Sequence, residues 1–291
     1  MKRSLIAVLV IMMVATAITG AMAQEETMQF GRFGTLHVVR KSAQPAHIAL
    51  FVSGDGGGWE QRMVDMAHAF ADLDTLLVVI DINEYLKQLE AGKESCAYPA
   101  AELELLSKYV QKKLNWPQYV TPLLIGYSSG ATLVYAALVQ APPNTFCGAI
   151  SLGFCPDLPL TKPLCRGYGL EWVVEPKKKG YSLLPATNLA APWIALQGPT
   201  DQVCPPAITE AFVQKVKGGE IIMLPSVGHG FSEPSKWMQS VKPAFLRVIA
   251  NDKSAHVINS PSVKDLPLVE VPAQGDASNT LAVILSGIIS R

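Results

Sequence analysis

The sequence predicts an α/β fold with a mostly parallel central sheet and helices on both faces, and three observations carry that prediction. Short runs of valine, isoleucine and leucine alternate with longer helical patterns. Each run stops at glycine, proline or a small polar cluster. The runs are apolar throughout instead of alternating, which marks strands covered on both faces and joined by βαβ crossovers.

In chain order the strands are predicted at 36–40, 48–53, 76–81, 123–126, 148–152, 193–197 and 221–224. Between them, Leu103, Leu106, Val110 and Leu114 form one stripe of an amphipathic helix. Residues 131–139 are apolar nearly all round, as a helix buried against the middle of the sheet should be. The stretch 154–189 breaks the rhythm with prolines, two cysteines and the basic run Lys177, Lys178, Lys179. It reads either as a lid or substrate-selecting insertion or as a passive surface excursion.

The ends carry their own signals. Met1-Lys2-Arg3, an apolar run over 5–18 and then Ala21-Met22-Ala23 have the charged, apolar and small-residue order of a secretory leader. Residues 1–23 are therefore expected to be a signal peptide cleaved near Gln24, giving an exported, periplasmic and soluble chain. A retained anchor is the alternative, but the run is shorter than the roughly 20 residues a spanning helix needs. Residues 24–252 are long enough for one domain with a sizeable core. With 49% hydrophobic and 16% charged residues the composition is globular. Lysine plus arginine and aspartate plus glutamate balance at 24 each, so no net field draws the chain to nucleic acid. Five cysteines (Cys96, Cys147, Cys155, Cys165, Cys204) in an oxidising compartment predict disulfides with one thiol left over. Cys155 with Cys165, closing a short loop, is the expected pair.

Residues 253–291 are read as a linker and the start of a second copy of the domain. His47-Ile48-Ala49-Leu50-Phe51-Val52-Ser53-Gly54 is echoed by Thr280-Leu281-Ala282-Val283-Ile284-Leu285-Ser286-Gly287, and Leu36-His37-Val38-Val39 more loosely by Leu268-Val269-Glu270-Val271. Chance likeness of two apolar strands is the competing explanation.

Chemistry concentrates at three loops. Gly126-Tyr127-Ser128-Ser129-Gly130 fits G-x-S-x-G between a predicted strand and a predicted helix, the context of a nucleophile elbow. That makes Ser128 the candidate nucleophile and the chain an α/β hydrolase by pattern. A serine hydroxyl needs a base, and the base needs a carboxylate to fix its tautomer. Asp201 follows the strand 193–197 and His229 follows the strand 221–224, giving the chain order Ser, Asp, His at the carboxyl ends of successive strands. Asp81 is the rival acid, but its strand precedes the serine. His37, His47, His68 and His256 do not follow a late strand.

Charge developing on the attacked carbonyl needs two backbone donors. The N–H of Ser129 is one candidate. The loop Ser53-Gly54-Asp55-Gly56-Gly57-Gly58-Trp59 supplies the other through Asp55 or Gly56. This glycine run lacks the lysine and hydroxyl ending of a phosphate-binding loop. No residue cluster has zinc spacing, and no cofactor is expected. Tyr127, Trp59, Lys177, Lys178 and Lys179 are candidate substrate contacts, the lysines toward a lipid phosphate.

Together, Ser53 to Trp59, Gly126 to Gly130, Ser151-Leu152-Gly153-Phe154, Asp201 and Gly228-His229-Gly230 resemble the VirJ family of periplasmic bacterial proteins, including its tandem AcvB-type members. The resemblance covers nearly the whole chain after residue 23 and fits the echo, since AcvB-type proteins carry two such domains. It implies a periplasmic α/β hydrolase that cleaves aminoacyl esters of phosphatidylglycerol at the membrane surface, with links to virulence and to a type IV secretion partner. A generic exported esterase or peptidase, and a non-catalytic binding module for an envelope partner, are the alternatives the residues leave open.

Overall fold

A computed structural model describes residues 24–175, 179–250 and 262–263. The leader at 1–23, Lys177, Lys178, His256 and the echoes at 268–271 and 280–287 lie outside the described residues. No helix among the described residues is long and apolar enough to cross a membrane.

Eight strands form one sheet in the order β1 (Gln24–Gln29), β2 (Thr35–Arg40), β4 (Thr75–Ile80), β3 (His47–Val52), β5 (Leu123–Tyr127), β6 (Gly148–Leu152), β10 (Trp193–Gln197) and β11 (Gly219–Met223). β1 pairs antiparallel with β2, and β2 antiparallel with β4; every later pairing is parallel. The strand periodicity of two explains the apolar runs. Ile48, Leu50 and Val52 enter one core while Ala49 and Phe51 enter the other, and Leu76, Val78 and Ile80 divide likewise from Leu77 and Val79.

On the first face lie α2 (Ile82–Ala91), α3 (Pro99–Lys113), α4 (Ser129–Gln140) and α5 (Pro206–Val213); on the second lie α1 (Gln61–Ala71) and α6 (Pro234–Ile249). In α3 the predicted stripe holds, with Leu103, Leu106 and Val110 buried and Leu114 packed at its margin. All of α4 beyond Ser129 is buried, consistent with its lack of a polar face.

The described residues of the irregular stretch form an insertion. It folds into a small antiparallel sheet in the order β7 (Asp157–Leu158), β9 (Tyr181–Leu183), β8 (Trp172–Val174). Leu158, Leu160, Leu164, Leu170 and Leu183 anchor it in the first core.

The expected Cys155–Cys165 disulfide is not formed. Cys96 bonds Cys165 and Cys155 bonds Cys204, leaving Cys147 as a buried thiol. Proximity in sequence misled here because the insertion carries its two cysteines to different neighbours. Cys165 lies beside the start of α3, where the Cys165 N–H donates to the Ala97 carbonyl at 2.8 Å and the Ala97 N–H to the Pro163 carbonyl at 2.8 Å. Cys155 is held at the end of β6, next to the loop that follows β10.

Candidate active site

Three backbones must nearly touch to make the turn that carries Ser128. A Cβ on Gly126 would stand 2.2 Å from the Gly130 carbonyl oxygen, and a Cβ on Gly130 would stand 2.3 Å from the Val52 oxygen. Only hydrogen fits at either position, which is the physical content of the G-x-S-x-G spacing. Between them Ser128 sits at φ +55°, ψ −124°, a conformation strained for any residue with a side chain. Its N–H donates to the Leu152 carbonyl at 2.9 Å, and its own carbonyl accepts from the Ala131 N–H at 2.8 Å. The hydroxyl is thereby held at the carboxyl edge of the sheet.

The histidine loop is shaped by close packing against the acid loop. A Cβ on Gly198 would come within 2.2 Å of the Val227 oxygen, so the two loops meet backbone to backbone. The Thr200 hydroxyl donates to the same Val227 carbonyl at 3.0 Å. Gly153, at φ +62°, backs the imidazole: its Cβ would lie 3.2 Å from His229 Nδ1.

These loops bring the three predicted side chains together. Ser128 Oγ lies 2.9 Å from His229 Nε2, and His229 Nδ1 lies 2.8 Å from Asp201 Oδ2. The imidazole keeps a small exposed edge, while the Asp201 carboxylate has none. Burial of that charge is offset by hydrogen bonds. Oδ1 accepts from the N–H groups of Val203 at 2.9 Å and Cys204 at 2.8 Å, and Oδ2 accepts from Gln197 Nε2 at 3.1 Å as well as from His229.

The rivals are committed elsewhere. Asp81 caps α2 through the Asn83 N–H at 2.8 Å and takes the Gly58 N–H at 3.0 Å. His37 stacks on Trp59, His68 pairs with Glu25, and His47 lies at the start of β3 beside Phe245.

A cleft of about 240 Å³ opens beside Ser128, with Ser129 and Asp55 on its wall. Ser129 is the first residue of α4, where a backbone N–H has no partner within the helix and the helix dipole is positive. Of the two candidates on the glycine loop, Asp55 lines this cleft; Gly56 faces the Glu60 carboxylate, 2.9 Å from where its Cβ would be.

The far wall comes from the insertion, through Asp157, Leu158, Glu175, Lys179 and Tyr181. Lys179 thus lines the same cleft as Ser128. Two of the expected substrate contacts are not among the residues that line this cleft. Trp59 does not line the cleft, because its ring lies 4.3 Å from that of His37 and nearly parallel to it. Tyr127 is almost wholly buried behind the cleft, its hydroxyl accepting from Arg62 Nη1 at 3.0 Å and its ring 5.6 Å from the imidazole of His229. Burial pushes the Tyr127 phenol above its usual range.

Among solved structures the chain is similar to a puromycin-hydrolyzing peptidase from Mycobacterium tuberculosis, with a TM-score of 0.54 and 17% identity over 80% of this chain and 40% of that one. It is also similar to a dienelactone hydrolase from Anabaena variabilis, with a TM-score of 0.52 and 16% identity over 79% of this chain and 98% of that one. The chain has the α/β-hydrolase fold. No protein-family model matches it, and no curated protein matches it in sequence.

Within this fold, the parts that hold Ser128, His229 and Asp201 from behind carry little signal in the sequence. Gln197, Gly153, the Val203 and Cys204 N–H groups and the Cys155–Cys204 disulfide all support Asp201 or His229. The signals that point to them are Gly153, within the Ser151 to Phe154 motif, and Cys204, three residues after the predicted acid.

Proposed function

We propose that this chain is a periplasmic serine hydrolase that cleaves carboxylic esters, with aminoacyl esters of phosphatidylglycerol as its substrates. The observation that carries the hydrolase reading is the unbroken line Ser128 Oγ, His229, Asp201 at 2.9 and 2.8 Å, opening on a cleft. Neutral His229 takes the Ser128 proton through Nε2 as Oγ attacks the ester carbonyl. Its Nδ1–H keeps donating to the Asp201 carboxylate, which stabilises the imidazolium. The Ser129 N–H and the Asp55 N–H are the donors for the oxyanion. Collapse expels the alcohol, which takes its proton from His229 and leaves an acyl group on Ser128. Water, activated by the same imidazole, then releases the free amino acid.

The lipid substrate is supported by the motif resemblance to VirJ-type proteins and by the leader pattern at 1–23, which would put the enzyme beside the membrane that holds such lipids. Lys179 at the cleft wall offers a cation for the phosphate of the leaving alcohol.

Two measurements test the proposal. A fluorophosphonate should label the wild-type protein and not Ser128→Ala; an unlabelled but folded wild type would refute catalysis and leave a binding module. Untreated wild-type enzyme should turn over lysyl- or alanyl-phosphatidylglycerol faster than a simple short-chain ester. The reverse preference would replace the lipid substrate with a generic exported esterase or peptidase.

A further inference from the structure

The parallel strands β3, β4, β5, β6 and β11 end on Val52, Ile80, Tyr127, Leu152 and Met223; β10 ends on a fully buried glutamine. Gln197 Nε2 donates to Asp201 Oδ2 at 3.1 Å and to the Cys204 carbonyl at 2.8 Å. Its Oε1 meets no hydrogen-bonding partner among the described residues. Turning the amide over would press Oε1 against a carboxylate and a carbonyl, so the two acceptors fix which end faces Asp201. The side chain is held in an arrangement that serves its neighbour and leaves its own oxygen unpaired.

The consequence falls on the Asp201 carboxylate. With Gln197 it accepts four hydrogen bonds, two on each oxygen, and its plane is fixed. Without Gln197, Oδ2 would keep His229 alone, and the broad terminal torsion of an aspartate would be less constrained. The negative charge on Oδ2 would also be less dispersed, so it would hold a protonated imidazole more strongly.

We propose that Gln197 is a positioning residue of the site, acting through Asp201. It keeps Oδ2 in line with His229 Nδ1 and moderates the pull of the carboxylate on the imidazolium. This rests on the serine-hydrolase reading above. The other titratable or charged groups around the pair are Tyr127, beside the imidazole, Arg62 on the Tyr127 hydroxyl, and Glu60 at 4.0 Å from Arg62. None of them contacts Gln197 by a hydrogen bond.

Two variants test it, each read by fluorophosphonate labelling of Ser128 against pH and by thermal unfolding. Gln197→Met keeps volume and removes the donor. Its labelling rate should fall by about ten- to a hundredfold, with the acid limb of the profile moved to higher pH. Gln197→Glu keeps the shape and can donate only while protonated, so its rate relative to wild type should fall steadily as pH rises. Folded variants that label at the wild-type rate with an unmoved profile, or that lose rate only in proportion to lost folded protein, would overturn the proposal and leave the hydrolase intact. Failure of the wild type to label at all would take down the hydrolase reading and this inference with it.

Discussion

Removing the Cys155–Cys204 disulfide should impair chemistry out of proportion to stability, and Cys96–Cys165 provides the matched control. The two bonds close stretches of 49 and 69 residues. Chain-entropy arithmetic gives each about 4 kcal/mol of stabilisation, which for a domain of this size is on the order of 10 °C in melting temperature. The two losses should therefore look alike in a melting experiment. They differ in what they touch. The Cys204 N–H donates to Asp201 Oδ1 and the Cys204 carbonyl accepts from Gln197 Nε2, while the Cys155 carbonyl accepts from Thr132 on α4, one turn after Ser128. Freed of the bond, the acid loop can drift from the elbow, and a misplacement near 1 Å costs about a hundredfold in rate. The assay compares Cys155→Ser/Cys204→Ser with Cys96→Ser/Cys165→Ser by fluorophosphonate labelling, well below both melting temperatures. The first pair should label ten- to a hundredfold more slowly and the second at close to the wild-type rate. Equal labelling by both double variants would refute the reasoning.

Two further outcomes follow from the charge distribution. Burial raises the Glu102 carboxyl from 4.5 to about 7 against the opposing pull of Arg32, 2.9 Å away. A raised folded-state value means the folded chain binds more protons than the unfolded chain between those limits. This contribution is therefore full below 4.5 and lost as pH rises through 7, by up to about 3 kcal/mol. In Glu102→Gln the fall in melting temperature between pH 5 and pH 8 should be smaller than in wild type, and an equal fall would remove Glu102 as its cause. Asp201→Asn should cut Ser128 labelling by about three to four orders of magnitude through the wrong imidazole tautomer. Asp81→Asn keeps an oxygen for the α2 cap but cannot accept the Gly58 N–H on its amide nitrogen, so it should cost about 1 kcal/mol of stability and less than tenfold in labelling; a larger loss in labelling would make Asp81 the acid of the site.

The readable parts of this sequence are those where one residue type answers one physical need. The central strands are covered on both faces, so they are apolar throughout and stand out. Gly126 and Gly130 are required by contacts that admit no side chain, and Ser128 by its place between them. Asp201 and His229 are legible because both lie in loops that follow strands, in the order the elbow demands. β1 was not. It lies at an edge of the sheet with Met28 as its one buried residue, and its remaining Gln, Glu and Thr side chains carry no apolar pattern. β7, β8 and β9 span two or three residues, too few to show a period. Cysteine partners and the role of Gln197 depend on which loops meet at the rim of the sheet, and that is a property of the folded chain rather than of any local run.

On the proposed hydrolase reading, the strained turn at Ser128 places reactivity and robustness in opposition at one residue. A backbone at φ +55°, ψ −124° is comfortable for glycine, which lacks the Cβ that makes the turn costly. The substitution that most relaxes the elbow is therefore the one that deletes its hydroxyl. A search for sturdier forms of this protein, made without a functional screen, would drift toward an inert molecule that melts later and looks unchanged in outline.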